Sequence, residues 1–224
     1  MNWHSKHINT SSLIKLFGLS ILLSLSACAE KKSAENASAS DALPQNLPIL
    51  SRDENGENHK IRPFRFTDQD GKAFDSKRLD NKIYIADFFF TTCPSICPKM
   101  TGNMKKVHEA FPNDSNVYFV SFSIDPEYDN PQILKQYASE KANDAPNWRF
   151  LTGDKDSIYT ICEEDFMAYA MPDKDEPGGY VHSGFLILID PNGQIRGAFD
   201  GTTMGKSEEL IEHIQILKTE FQIP

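Results

Sequence analysis

The chain of 224 residues has few cysteines, few basic residues and no apolar run long enough for a multi-span membrane protein. Four cysteines are too few to build a fold from disulfides. With 23 Lys and Arg against 32 Asp and Glu, the net charge is −9, which argues against nucleic acid as a partner. The hydrophobic fraction of 39% is too high for a disordered chain. Length and composition therefore predict one globular domain, with room for an appendage.

The first 27 residues have the features of a secretion signal. They contain no Asp or Glu, and two lysines precede or enter an apolar stretch that ends at Leu25 and is short for a membrane span. The stretch ends in Leu25-Ser26-Ala27-Cys28, which resembles the lipobox of bacterial lipoproteins. The alternative is an ordinary signal peptide followed by a coincidental cysteine. We expect residues 1–27 to be a lipoprotein signal peptide and Cys28 to carry lipid, which predicts an extracytoplasmic protein anchored to a bacterial membrane, on the periplasmic side or at the cell surface.

The segment after Cys28 is rich in Ala, Ser, Asn and charged residues and has no apolar periodicity, so residues 28–48 are predicted to be the lipidated cysteine and a flexible tether. Residues 49–224 alternate strand-like apolar runs with helical patterns and end in an antiparallel hairpin and a helix. This order predicts an α/β domain of the thioredoxin-like kind, with a mixed sheet flanked by helices and an N-terminal β-hairpin extension. The predicted strands are 61–66, 72–75, 82–90, 117–124, 148–151, 185–190 and 195–199, and the predicted helices are 97–110, 131–141, 154–169 and 205–221.

Two cysteines occupy the turn between a predicted central strand and a predicted helix, in Phe90-Thr-Thr-Cys93-Pro-Ser-Ile-Cys97-Pro98. The start of a helix presents free N–H groups and partial positive charge, which stabilise a thiolate. The spacing of four residues lets both sulfurs lie on one side of the first turn. The pair admits three interpretations: a structural disulfide, a redox dithiol, or part of a metal site that needs another ligand. A disulfide here would close so short a loop that it would restrain the unfolded chain little.

His182 is the candidate for that further ligand. It lies in Gly178-Gly179-Tyr180-Val181-His182-Ser183, just before the predicted strand at 185–190. In a thioredoxin-like sheet the loop that enters this strand faces the cysteine turn, so the imidazole can approach both sulfurs. Two thiolates and one imidazole make a soft site of low coordination number, which suits Cu(I), whereas zinc would require a fourth ligand.

The cysteine segment resembles the signature of the SCO/SenC family of copper-binding proteins. Further motifs of that family follow in order: Ser123-Ile-Asp125-Pro126-x-x-Asp129-x-Pro131, Leu151-Thr-Gly153, Tyr180-Val-His182-Ser183 and Leu188-Ile-Asp190-Pro-x-Gly193. The resemblance covers about residue 61 to the C-terminus and implies a thioredoxin-like fold in which Cys93, Cys97 and His182 bind copper. It also implies delivery of copper to, or reduction of the cysteines of, the binuclear copper site of a respiratory terminal oxidase. Val181 stands where the family usually has an acidic residue, which removes no ligand but can alter copper affinity or the choice of client.

We therefore predict an extracytoplasmic copper metallochaperone, rather than an enzyme, that helps to assemble the binuclear copper site of a cytochrome oxidase. It would bind Cu(I), with Cu(II) left open, through Cys93, Cys97 and His182, and a disulfide between the cysteines would eject the metal. Its partners would be the copper-accepting subunit of the oxidase, or another copper enzyme, and the membrane that holds Cys28. The alternative is a thiol-disulfide oxidoreductase that reduces the copper-site cysteines of a client. Enzymes of this fold usually carry Cys-x-x-Cys and a cis-proline where His182 stands, and both departures favour metal binding.

The remaining candidates are interpreted as structural. Met100, Met104 and Cys162 are predicted to be packed in the core, the cysteine as a free thiol. Asp125 and Asp129 are assigned to turn formation and to capping of the helix at 131–141, with support of the loop that carries the site as the alternative. The acidic segment 173–176 is interpreted as a solvated loop, with docking of a partner as the alternative. Together with the glycine pair that follows, it is consistent with a mobile flap that carries His182.

Overall fold

A computed structural model of the chain describes residues 46–53 and 55–224. The strands are β1 (Arg65–Asp68), β2 (Ala73–Asp75), β3 (Ile83–Phe89), β4 (Val117–Ser123), β5 (Trp148–Thr152), β6 (Ala170–Pro172), β7 (Tyr180–His182), β8 (Phe185–Ile189) and β9 (Ile195–Asp200). The helices are α1 (Cys97–Ala110), α2 (Pro131–Ala142), α3 (Lys155–Thr160) and α4 (Lys206–Glu220), with a 3-10 turn at Ser76–Leu79 and a π-helical turn at Ile161–Asp165.

Seven strands form one mixed sheet in the order β2-β1-β5-β4-β3-β8-β9, and β6 pairs with β7 in a separate two-stranded sheet. The central strands β3, β4 and β5 are parallel, whereas β8 lies antiparallel beside β3 and β1 antiparallel beside β5. Helix α2 contacts β5 and β1, while α4 contacts β9, β3 and α1. The predicted thioredoxin-like α/β fold is confirmed.

The core lies on both faces of the central strand. All seven residues of β3 are buried, as expected of a parallel strand covered on both sides. Neighbouring side chains of a strand face opposite ways, so Phe88 and Phe89 start two aromatic clusters. Phe88 stacks on Phe122 at a centroid distance of 5.2 Å, and Phe89 meets Phe150 edge-on at 5.6 Å. This packing fixes the end of β3, from which the cysteine segment emerges.

The predicted opening hairpin is present as β1 and β2, with Phe66 opposite Phe74. Its first strand begins at Arg65 rather than at residue 61, because Pro63 has no N–H to donate to a neighbouring strand. The backbone N–H and the guanidinium of Arg62 are instead held by the buried carboxylate of Asp165.

Two local predictions were wrong. Asn130, not Asp129, caps α2, and its side-chain oxygen accepts hydrogen bonds from the backbone of Gln132 and Ile133 at 3.0 and 3.1 Å. The helix predicted at 154–169 is α-helical only to Thr160, and the chain then forms the π-helical turn before β6. The hairpin of β6 and β7 was not predicted, because strands of three residues carry almost no periodicity.

The predicted signal peptide, Cys28 and nearly all of the predicted tether lie outside the described residues. Within residues 46–53 and 55–224, no helix combines the length and the apolar character that a membrane span requires.

Candidate metal centre

The cysteine half of the site follows the carboxyl end of β3. The chain leaves the sheet at Phe90, whose carbonyl accepts a hydrogen bond from the backbone N–H of Cys93 at 3.2 Å. Helix α1 then begins at Cys97, and no side chain caps its N-terminus. Pro98 has no N–H, and the N–H groups of the next two residues donate to the carbonyl of Ile96. The N–H of Cys97 and the positive end of the helix dipole are therefore available to the sulfurs. Both thiols are buried, with 7% of Cys93 and 1% of Cys97 exposed.

The histidine half comes from β7. Because β8 runs antiparallel to β3, the residues that lead into β8 arrive at the carboxyl end of β3, beside the cysteine turn. His182 is buried there, and its Nε2 lies 3.2 Å from the Sγ of Cys97. Its Nδ1 lies 3.1 Å from the backbone oxygen of Ser183, which only accepts hydrogen bonds. In the tautomer that carries its proton on Nδ1, this contact orients the ring and leaves the lone pair of Nε2 free to bind a metal ion.

The three side chains meet at one point. One ligand atom each from Cys93, Cys97 and His182 all lie within 4.8 Å of one another. Since metal–sulfur and metal–imidazole bonds are about 2.0–2.3 Å long, ligand atoms that share an ion lie up to about 4.6 Å apart. Very small movements of the three side chains would therefore allow them to bind one ion together. In the part of the chain that the structure describes, no other group of three His, Cys, Asp or Glu residues has this spacing.

The two thiols differ strongly in acidity. The hydrogen bond from Cys97 lowers the pKa of Cys93 far below that of an ordinary thiol, and contacts with His182 and Ser95 act in the same direction. The same bond, together with burial, raises the pKa of Cys97. One thiolate, that of Cys93, thus exists at neutral pH, and a soft cation that binds both sulfurs displaces the proton of Cys97.

Asp87 is a buried carboxyl group that the sequence reasoning missed. It is 2% exposed, lies opposite Ser121 on β4, and its Oδ1 has no hydrogen-bond partner. Burial raises its pKa to about 6, although a hydrogen bond with Ser121 and the electrostatic contribution of His182 oppose the shift. The signal in the sequence was the single charged residue inside the apolar run of β3.

Asp129 does not cap α2 but supports the cysteine segment, which is the alternative role that the sequence allowed for it. One carboxylate oxygen accepts hydrogen bonds from the backbone N–H of Thr91 at 3.0 Å and from the hydroxyl of Ser123 at 2.6 Å. The other oxygen accepts from the hydroxyl of Thr91. Thr91 lies two residues before Cys93, so this fully buried carboxylate fixes the approach to the first ligand.

The structure also places four other residues that the sequence analysis considered. Met100, Met104 and Cys162 are all fully buried, as predicted, and burial raises the pKa of Cys162 to about 12. Val181 pairs with Met171 on β6, on the face of the hairpin opposite to His182. An acidic side chain at this position would therefore point away from the imidazole.

Comparison with known proteins agrees with this arrangement. The SCO1/SenC family model matches residues 52–219. The chain belongs to the SCO1/SenC family. A solved SCO1/SenC family lipoprotein from Bacillus anthracis is 37% identical to this Sco-family chain, with a TM-score of 0.65 over 71% of this chain and 95% of that one.

Two further solved structures are similar. BsSco, described as having a disulfide switch and as a member of the Sco family of cytochrome c oxidase assembly proteins, is 30% identical, with a TM-score of 0.64 over 72% of this chain and 95% of that one. ScoI from Bradyrhizobium japonicum, solved with copper bound, is 29% identical, with a TM-score of 0.59 over 70% of this chain and 99% of that one.

Proposed function

We propose that this Sco-family chain is a copper metallochaperone that binds copper through Cys93, Cys97 and His182 and serves the assembly of the binuclear copper site of a cytochrome c oxidase. The observation that carries the proposal is the convergence of two buried thiols and one imidazole within 4.8 Å. The copper-bound ScoI structure and the membership of BsSco in a family of oxidase assembly proteins support it.

The donor set favours Cu(I). Thiolates are soft ligands, and an ion of low coordination number needs only the three atoms present, whereas zinc would need a fourth ligand. Three ligands leave a position open to a thiolate of the client, so copper can move by exchange of one ligand at a time. Exchange with an external disulfide passes two electrons and two protons from the pair to that disulfide, which becomes two thiols. The Cys93–Cys97 bond then forms, and neither sulfur remains as a thiolate ligand.

The test is a Cu(I) titration of reduced protein by competition with a chromogenic chelator, with thiols counted in parallel. We expect one tightly bound Cu(I) per reduced chain, no tight site in the disulfide form, and weaker binding in His182→Ala. His213→Ala is the matched control, since His213 is half-buried on α4 and outside the three-residue group. Unchanged affinity in His182→Ala, or equal binding by oxidised and reduced protein, would refute the proposed site.

A second function, reduction of the client's cysteines, is favoured by the difference between the two thiols. Cys93 has the lowered pKa and the larger exposure, which suits an attacking thiolate, while Cys97 is the buried neighbour that would resolve the mixed disulfide. Cys97→Ser should trap a mixed disulfide with an oxidised client peptide. Absence of that adduct, in a protein whose wild-type form transfers copper to the client, would leave the metallochaperone as the sole function.

We further propose that the chain is lipid-anchored through Cys28 and works outside the cytoplasm. The lipobox-like Leu25-Ser26-Ala27-Cys28 supports this, as does the description of the Bacillus anthracis relative as a lipoprotein. Labelled fatty acid should enter the wild-type chain, and the Cys28→Ala chain should stay unlabelled and leave the membrane fraction.

A further inference from the structure

The loop between β4 and α2, residues 124–130 and here called the bridging loop, contacts both halves of the metal centre. Two of its carboxylates face different partners. Asp129 binds Thr91 of the cysteine segment, as described above. Asp125 accepts a hydrogen bond at 2.9 Å from the hydroxyl of Tyr180, which lies on β7 two residues before His182.

The bridging loop is itself internally held. The backbone N–H of Asp129 donates to the carbonyl of Asp125 at 2.8 Å, and the N–H of Asp125 donates to the hydroxyl of Ser123 at 3.1 Å. The two carboxylates therefore belong to one small folded turn. A displacement of the hairpin that pulls on Asp125 acts on the same turn that holds Thr91.

Tyr180 and His182 share one face of their strand, because side chains alternate along it. Both rings contact Phe90, at centroid distances of 5.2 Å for Tyr180 and 5.9 Å for His182. The hydroxyl of Tyr180 extends beyond this aromatic contact to reach Asp125. The ring of Phe90 is the apolar surface against which the hairpin packs, and the hydrogen bond from Tyr180 to Asp125 fixes the position of the hairpin on that surface.

Few polar contacts tie this hairpin to the main sheet. Within the described residues, two side-chain hydrogen bonds join β6, β7 and their connecting turn to other elements: Tyr180 to Asp125, and His182 to Cys97. Both partners of the first bond are half-buried. When His182 leaves the cysteines, the bond from Tyr180 is the remaining side-chain hydrogen bond that keeps the imidazole close.

We propose that Tyr180 is a positioning residue, whose hydrogen bond to Asp125 holds His182 against the cysteine pair and couples the two halves of the site through the bridging loop. The inference rests on the proposed copper site. In this role Asp125 acts only as a hydrogen-bond acceptor, and its charge is not required. An uncharged side-chain oxygen at the same position should therefore accept the hydrogen bond from Tyr180 equally well.

The test measures Cu(I) affinity and the rate of Cu(I) release to a chelator in reduced protein. Tyr180→Phe removes one oxygen and keeps the ring on Phe90. We expect the Cu(I) affinity to fall about tenfold and the rate of release to rise by a similar factor. Tenfold is the lower end of the roughly 10–100-fold loss that follows when a residue that supports a metal ligand is removed. Tyr159→Phe is the matched control, since the hydroxyl of Tyr159 donates at 2.9 Å to the carbonyl of Ile124 in the same loop but lies on α3. Affinity in that variant should match the wild type.

Three further variants separate positioning from a general loss of structure. Asp125→Asn keeps an acceptor oxygen and should retain affinity near that of the wild type, whereas Asp125→Ala should behave like Tyr180→Phe. In a His182→Ala background, Tyr180→Phe should cause no additional loss, because its effect passes through the imidazole.

The outcomes are distinct. A tenfold loss that persists without His182, or a Tyr180→Phe protein with unchanged affinity and release, overturns the positioning role. If His182→Ala alone binds Cu(I) as tightly as the wild type, the proposed site fails, and the positioning role fails with it.

Discussion

Cys93 and Cys97 stand between the central strand and a helix of 14 residues, whereas His182 stands on a hairpin of two three-residue strands outside the seven-stranded sheet. The first half of the site continues from β3, in which every residue is buried. The second half rests on Phe90 and on a few hydrogen bonds. The positions of the thiolates are therefore set by the core, and the position of the imidazole by contacts that water can replace.

This difference has a functional meaning. A chaperone must hold its metal tightly and still release it, and release is easier when one ligand can leave while the others stay. The two buried sulfurs retain the metal, and the hairpin carries His182, the ligand that can dissociate first. Changes on the cysteine side should thus alter both folding stability and copper binding strongly, while changes on the hairpin should alter copper binding more than folding stability.

The largest effect is expected from Cys97→Ser, which replaces the thiolate at the start of α1. A hydroxyl is a hard, neutral donor, so Cu(I) affinity should fall well beyond the roughly 10–100-fold that changes outside the ligand set produce. Chelator competition measures the loss. Cys162→Ser makes the same change at a buried thiol outside the three-residue group and should keep a stoichiometry of one copper. Tight binding by Cys97→Ser would show that the two halves do not form one site.

Asp129→Ala tests whether the cysteine half is anchored in the core. The change leaves the N–H and hydroxyl of Thr91 and the hydroxyl of Ser123 without their acceptor in a fully buried place. We expect the free energy of unfolding to fall by about 3 kcal/mol in urea denaturation. Asp125→Ala, at the half-buried end of the same loop, should cost about 1 kcal/mol or less. Equal losses would mean that both ends of the bridging loop are equally integrated into the core.

Asp87→Asn should stabilise the protein at neutral pH. Burial raises the pKa of Asp87 from 3.8 to about 6 in the folded state, so the folded state binds the proton more tightly than the unfolded chain. This contribution is fully present below pH 4 and is lost as the pH rises through 6. At about 1.4 kcal/mol per pKa unit, the Asn variant should gain roughly 3 kcal/mol over the wild type at pH 7, and almost nothing at pH 4.

The measurement is denaturant unfolding of reduced, metal-free protein at both pH values. A stability difference between Asp87→Asn and wild type that is the same at pH 4 and pH 7 would contradict a raised pKa. The outcome also bears on the comparison of the two halves, because Asp87 lies in β3, the strand that carries the cysteine side.

The sequence predicted most of the fold because its strands and helices carry strong local patterns. The apolar run that became β3 is typical of a strand buried on both faces, and the prolines after Cys93 and Cys97 are typical of the start of a helix. The approach of His182 to the cysteines was also predictable, since strand order alone brings the start of β8 to the end of β3.

What the sequence could not predict depends on contacts between distant residues. Asp129 lies 38 residues from Thr91, and Tyr180 lies 55 residues from Asp125, so neither hydrogen bond has a local signal. An aspartate just before a helix caps that helix more often than it binds a distant segment. The sequence therefore favoured the capping role for Asp129 over its contact with Thr91.

Two adjacent glycines offer the smallest and most selective test of the hairpin. Gly178 and Gly179 both have positive φ, +93° and +84°, so alanine at either position carries a similar backbone cost of about 1 kcal/mol. Only at Gly178 would the new Cβ meet other groups, at 2.8 Å from the ring of Phe90 and 3.1 Å from Pro94. Gly178→Ala should therefore move the hairpin away from Phe90 and weaken Cu(I) binding severalfold relative to Gly179→Ala. Both variants should unfold at nearly the same urea concentration. Equal affinities in the two variants would mean that the hairpin can shift against the cysteine segment without moving His182, and the position of the imidazole would then depend on the hydrogen bond of Tyr180 rather than on the contact with Phe90.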